Sequence, residues 1–177
     1  MSDPLADRLG PEWGHGPDGV RTRSASRVVV LDGAGRVLLL RGSDPATPGT
    51  DWWFTVGGGR EPGESARAAA ARELREETGL AVDPAVLDGP VWSRTAEFAF
   101  LGARCRQHEE FFVHRVAEGF EADRAGWTDL ERASVTQVRW WDPAELGASG
   151  VAFYPVDLPR LVAALPAAWT GEPLVVD

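Results

Sequence analysis

Three glutamates crowded into one short stretch are the residues best placed to do chemistry. In Arg72-Glu73-Leu74-Arg75-Glu76-Glu77 the acids fall at i, i+3 and i+4. If the stretch is helical, at about 3.6 residues per turn, all three project from one face. Like charges at i and i+4 disfavour a helix by about a few tenths of a kcal/mol per pair. Glu76 and Glu77 would also sit at the negative end of the helix dipole. A hard divalent cation relieves both penalties, because Mg2+ prefers carboxylate oxygens. The bland alternative is a solvated acidic face on a surface helix, and the spacing taken alone favours it.

The neighbouring residues shift that balance. Ala66, Ala69 and Ala70 share the face of the glutamates, and small side chains there would leave room for a metal and a ligand. Gly57-Gly58-Gly59 lies just ahead, where backbone can approach a ligand closely and amides can hold phosphate oxygens. Strand, glycines, loop and acid-faced helix together make a phosphate-and-metal constellation.

The elements that must position these groups read as follows. Val28 to Leu31, the turn Asp32-Gly33-Ala34-Gly35 and Val37 to Leu40 predict strand, hairpin, strand. Trp52 to Val56 predicts another strand that runs into the glycines. Glu64 to Thr78 is built from strong helix formers, with Gly79 where a left-handed cap belongs. Two antiparallel strands follow, Val91–Leu101 and Arg104–Val116. Ala117–Thr136 reads as a looser segment. Val138–Trp141 predicts a strand and Pro143–Leu146 a short helix. Asp157–Leu165 predicts a last helix, with Asp157 as its cap. Residues 1–25, rich in Gly and Pro, read as an irregular N-terminal arm, and 26–177 as one domain. The interleaving of strands and helices indicates an α+β class.

From Gly58 the chain runs Gly58, five residues, Glu64, seven residues, then Arg72-Glu73-Leu74-Arg75-Glu76-Glu77-Thr78-Gly79-Leu80. This resembles the Nudix box at every constrained position, over about an eighth of the chain. The resemblance implies a mixed β-sheet sandwiched between α-helices, and metal-dependent cleavage of a pyrophosphate bond. It implies that Glu73, Glu76 and Glu77 bind Mg2+ or Mn2+, with the backbone carbonyl of Gly57 as a further ligand. Glu64 and Arg72 would hold the box together as an ion pair, with Gly58 and Gly79 shaping it. One position departs from the common pattern. Val56 stands where many members carry Pro, which loosens the loop entry without removing a ligand.

For the general base, Glu76 and Glu77 are candidates, and so are the downstream Glu97, Glu109, Glu110 and Glu131. Glu110 ranks first because it precedes Phe111-Phe112-Val113 on an expected strand. Glu131 follows, in a segment suited to a lid. For substrate contacts, Trp53 could stack on a base and Arg60 could reach a phosphate. Strand alternation turns one of Trp52 and Trp53 inward, and core packing is the competing role for either. Trp140 and Trp141 read as core. No subfamily signature for coenzyme A, NADH or ADP-ribose substrates is present.

The composition narrows the partners. The net charge of −9 disfavours a nucleic-acid polymer, yet it admits a small phosphorylated substrate beside a cation. Cys105 is the one cysteine, which fits a reducing cytoplasm and excludes a Cys-rich zinc site. The N-terminal residues read as no signal peptide, and the apolar runs are too short to span a membrane. A homodimer is compatible with the Trp-rich composition. Three other readings compete. A nucleotide-sensing module would not need three clustered glutamates. A prenyl-diphosphate isomerase would need a placed acid or thiol, and Cys105 sits in no such motif. A purely structural protein leaves the box unexplained.

Overall fold

The computed structural model describes residues 9–177, so the first eight positions of the expected arm lie outside the described residues. Regular structure begins earlier than the composition suggests. A short strand, β1 (Gly14–His15), pairs with the start of β2 (Arg21–Leu31). Arg21 to Ser26 carries no apolar run. Its backbone is nevertheless paired in parallel with β6 (Ala103–Arg115), from Arg21 opposite Cys105 to Leu31 opposite Arg115. Pairing across the chain overrides local propensity here.

The hairpin after β2 turns on Asp32, whose carboxylate accepts from the amides of Ala34 and Arg36, and on Gly35 at φ +80°. It leads to β3 (Val37–Ser43) and β4 (Asp51–Gly59). The helix α1 (Ala66–Thr78) follows. The strand β5 (Asp88–Phe100) joins β6 through Leu101 and Gly102, both at positive φ as a tight hairpin requires. The segment expected to be loose contains a helix, α2 (Asp129–Ser134), closed by a reciprocal capping box between Thr128 and Glu131. Then come β7 (Val135–Trp141), α3 (Pro143–Ala148), β8 (Phe153–Tyr154), α4 (Leu158–Ala163) and β9 (Leu174–Val175). Asp157 precedes α4 without capping it; its carboxylate pairs with Arg160 instead.

The strands form one mixed sheet in the order β7-β3-β4-β2-β6-β5-β9, with β2 and β6 parallel at its centre. Strand alternation gives this sheet two apolar clusters. Val28, Val30, Leu38, Leu40, Val56 and Phe112 meet Ala70, Ala71 and Leu74 of α1. Val29, Leu31, Leu39, Trp53, Phe111 and Trp141 meet Leu146, Leu158 and Leu161 of α3 and α4. The fold is therefore α+β, a mixed sheet sandwiched between helices. Among the described residues no helix is long and apolar enough to cross a membrane.

Candidate metal centre

The site is built on the end of β4. Gly57 lies at φ +130°, and a Cβ there would sit 2.1 Å from the carbonyl oxygen of Ser26 and 2.8 Å from Cα of Arg27. Only glycine lets the strand pass so close to β2. A Cβ on Gly58 would meet the carboxylate of Glu73 at 2.8 Å, so this glycine lets the helix acid lie against the strand.

Helix α1 presents the acids. Ser65 caps its first turn by accepting from the Ala68 amide. Gly79 ends it in the left-handed conformation, donating its amide to the Arg75 carbonyl. Ala69, Ala70 and Ala71 are buried, and Ala70 and Ala71 pack with Leu74 on the sheet. The alanines thus seat the helix; they do not hold space open for a ligand. With that face fixed on the sheet, Glu73 and Glu77 are carried into the seam beside the glycines. They are 6% and 3% exposed, which is rare for ionisable side chains without a counter-charge. The amide of Gly57 donates to Glu77 Oε2 at 2.6 Å.

Glu131 of α2 completes the cluster. Each of Glu73, Glu77 and Glu131 offers a carboxylate oxygen within 4.8 Å of the others'. The Glu131 Oε2 atom is held by the amide and hydroxyl of Thr128 at 2.6 and 2.7 Å, which anchors the side chain at the site. Trp127 fastens the same segment to the helix by donating Nε1 to the Glu77 carbonyl.

This arrangement stores unfavourable electrostatics. Burial, with a lesser push from Glu131 and Glu76, raises the Glu73 carboxyl to about 7 against the pull of Arg72. Burial and the charge of Glu73 push Glu77 well above its usual value, against the opposing hydrogen bond from Gly57. Arg72 is committed elsewhere as well. It holds Glu64 through two contacts of 2.9 Å, reaches Glu73 at 2.7 Å and Glu76 at 3.0 Å, and donates to the Gly59 carbonyl. Three convergent carboxylates with too little positive charge fit a hard divalent cation.

The other expected residues are distributed differently. Glu76 lies outside the close trio, and its side chain is 35% exposed. Glu110 is also outside it. It forms an ion pair with Arg60, whose Nε donates to Ser26 at 3.0 Å. Of the downstream acids, Glu131 is the one brought to the cluster, since α2 folds back over it. Arg60 and Glu110 instead line a groove with Ser24, Ser93, Thr95 and His108. Glu97 pairs with Arg106 near the hairpin tip.

Trp53 needs correction as a substrate contact. It is 4% exposed and packs edge-on against Trp141 at 5.1 Å, because its position in β4 alternates into the core above α3 and α4. Trp141 is core as expected, and Trp140, half-buried, packs against the other core cluster and donates Nε1 to the Phe120 carbonyl.

Two further features shape the site. The Thr128-x-x-Glu131 capping box was visible as a pattern in the chain. The second feature is a buried network in which Glu109 holds Arg94 across the β5–β6 hairpin and Arg27 from 82 positions away, the latter leaving no local signal.

Comparison with known proteins now fits the geometry. The family model for the NUDIX domain matches residues 21–159. The chain belongs to the NUDIX family. Its similarity to the RNA pyrophosphohydrolase of Dinoroseobacter shibae is 49% identity over 61 residues, 34% of this chain and 36% of that one. The chain thus spans about a third of the length of that curated relative. Among solved structures, the MutT protein from Methanosarcina mazei Go1 aligns at a TM-score of 0.54 and 18% identity, covering 80% of this chain and 91% of that one. The E. coli dihydroneopterin triphosphate pyrophosphohydrolase aligns at 0.54 and 23%, covering 78% and 91%. These last two likenesses speak for the NUDIX fold alone.

Proposed function

We propose that this NUDIX domain hydrolyses a pyrophosphate bond in a small nucleoside diphosphate-linked compound, using Mg2+ or Mn2+. The observation that carries the reading is the convergence of buried Glu73 and Glu77 with Glu131 beside Gly57-Gly58-Gly59. These three carboxylates, with the Gly57 carbonyl, are assigned to hold the ion. A bound divalent ion lowers the pKa of water and neutralises phosphoryl oxygens.

The remaining work falls to the chain itself. Phosphoryl transfer depends mainly on positioning and electrostatics. The Gly57 amide fixes Glu77, and the Glu64–Arg72 pair ties the loop to the helix. Glu76, the most exposed of the three helix acids, takes the role of general base from the solvent side. Glu77 is too enclosed for that role and serves as ligand. Arg60 and Glu110 lie in a groove of about 430 Å3, within the range of small-molecule sites. They are assigned to the non-reacting part of the substrate, with Arg60 available to an anionic group. Cys105, a buried free thiol, accords with a reducing cytoplasm.

The test is a panel of nucleoside di- and triphosphates, sugar nucleotides, dinucleoside polyphosphates and a short RNA with a 5′-triphosphate. Each is incubated with and without Mg2+ or Mn2+, and phosphate release is measured. Metal-dependent turnover of a small compound that is lost in Glu76→Gln supports the reading. Turnover of the RNA alone would replace the small substrate with a polymer end, against the net charge of −9. Metal binding without turnover on any compound would instead make the domain a nucleotide sensor.

A further inference from the structure

Gly57 touches two buried charge clusters. Its amide serves Glu77, while its carbonyl accepts from Nη1 of Arg27 at 2.6 Å. The same Nη1 reaches the Thr55 carbonyl at 3.3 Å. Arg27 is fixed in turn by Glu109, whose Oε1 accepts from Arg27 Nε at 2.8 Å. The other oxygen of Glu109 accepts from Arg94 at 2.6 Å, and Gln107 donates to Oε1 at 2.7 Å. Glu109 is 2% exposed and Arg27 9%.

This network stands where apolar residues would have served the core as well. Alternate positions of β2 read Leu31, Val29, Arg27, and those of β6 read Val113, Phe111, Glu109. In both strands a hydrophobic stripe turns ionic at the level of Gly57, which pairs with Arg27 across β2 and β4. Replacing a buried ion pair with apolar residues is often neutral or stabilising, so stability alone is a poor reason for it. The hydrogen bond to the Gly57 carbonyl supplies a better one. A carbonyl oxygen has two lone pairs. Arg27 takes one and sets the direction of the other, at a glycine whose own torsions restrict it little.

We infer that Arg27 is a positioning residue for the metal centre, clamped by Glu109, and that it aims the Gly57 carbonyl. The inference rests on the proposed metal site. Its sign separates it from plain electrostatics. A guanidinium near a cation site repels the cation, so deleting its charge alone would tighten metal binding. Loss of positioning weakens it.

The experiment is Mn2+ titration of the full chain, read by electron paramagnetic resonance as the Kd for free Mn2+, with thermal melts to verify folding. Arg27→Met is expected to weaken Mn2+ binding by about ten- to a hundredfold, as for other groups that orient a ligand. Arg27→Lys, which keeps the charge but offers one donor nitrogen in place of the planar fork, is expected to recover part of that loss. Should Arg27→Met, which leaves Glu109 with Arg94 as its one arginine, unfold the protein, the double variant Arg27→Met/Glu109→Gln removes both charges and keeps an acceptor for Arg94, and the same weakening is expected. A Kd that is unchanged or tighter in the folded Met variant or the double variant overturns the clamp and leaves the metal site standing. No Mn2+ binding by the wild-type chain overturns the metal site and the clamp together.

Discussion

The two sides of Gly57 bury charge in opposite ways. Toward α1 and α2, Glu73, Glu77 and Glu131 crowd together, and of the three Glu73 alone pairs with an arginine, Arg72. Toward β6 and β5, Glu109 is matched by Arg27 and Arg94 and by the amide of Gln107. The protonation behaviour follows. Burial alone would push Glu109 up, but its two arginines outweigh that and hold it below the usual carboxylate value. Burial does push Glu73 and Glu77 up, because nothing equivalent answers it. A balanced buried cluster is finished as it stands and can only position its neighbours. An unbalanced one must take up a proton or an added cation.

The sharpest way to break this contrast is to remove a carboxylate from the unbalanced side. Glu77→Gln is expected to lower Mg2+ affinity and kcat together, on the order of a hundredfold or more, with the fold kept. Isothermal titration with Mg2+ and steady-state kinetics measure the two effects. The amide removes a buried charge, so the metal-free variant should melt no lower than the wild-type protein.

The next effect is on the glycine that joins the two sides. Gly57→Ala places a methyl 2.1 Å from the Ser26 carbonyl and forces a side chain into a positive-φ conformation. A loss of about 2 kcal/mol or more is expected in urea unfolding. The same substitution at Gly35, where a Cβ meets nothing within 4 Å, should cost less.

A pH experiment sharpens the comparison further. Glu73 is raised from 4.5 to about 7, so the folded metal-free protein holds a proton that the unfolded chain releases. Its contribution to stability is full below about 4.5 and is lost as pH rises through about 7. Divalent metal competes with that proton and binds better as pH rises. Mg2+ should therefore raise the melting temperature more at pH 8 than at pH 5. Glu73→Gln should flatten that difference. An equal rise at both pH values in the wild-type protein would contradict the assignment.

The smallest effect concerns the tie between loop and helix. The Glu64–Arg72 pair is about one-sixth exposed and doubly hydrogen-bonded. Arg72 holds the Glu64 carboxyl below its usual value, so the pair contributes above about pH 4.5 and fades as pH falls below it. Glu64→Gln should cost about 1 kcal/mol near neutral pH. Differential scanning calorimetry at neutral and acid pH would measure the loss and its disappearance.

The sequence yielded one side of Gly57 far more readily than the other. Helix α1 is local: its formers, its Gly79 cap and its acids at i, i+3 and i+4 lie within one stretch, so Glu73 and Glu77 could be placed on a shared face at once. Glu131 was named but ranked second, because its arrival depends on how the segment between β6 and β7 folds back. The capping box at Thr128 was the signal that this segment held a helix. Trp53 illustrates the limit of alternation, which turns one of two tryptophans inward without saying which. The early start of β2 and the Arg27–Glu109 pair were illegible for one reason. Both depend on the parallel pairing of β2 with β6, which brings together residues some eighty positions apart. Polar residues from Arg21 to Arg27 resemble a loop until that partner strand is in place.

The central claim is that the carboxylates on the α1 side of Gly57 form a divalent-cation centre. Mn2+ titration of the wild-type chain and of Glu73→Gln, followed by electron paramagnetic resonance at pH 8, tests it most directly. Saturable binding is expected for the wild-type chain, and binding weakened by on the order of a hundredfold in the variant. Equal binding by both, or none by the wild-type chain, would contradict it.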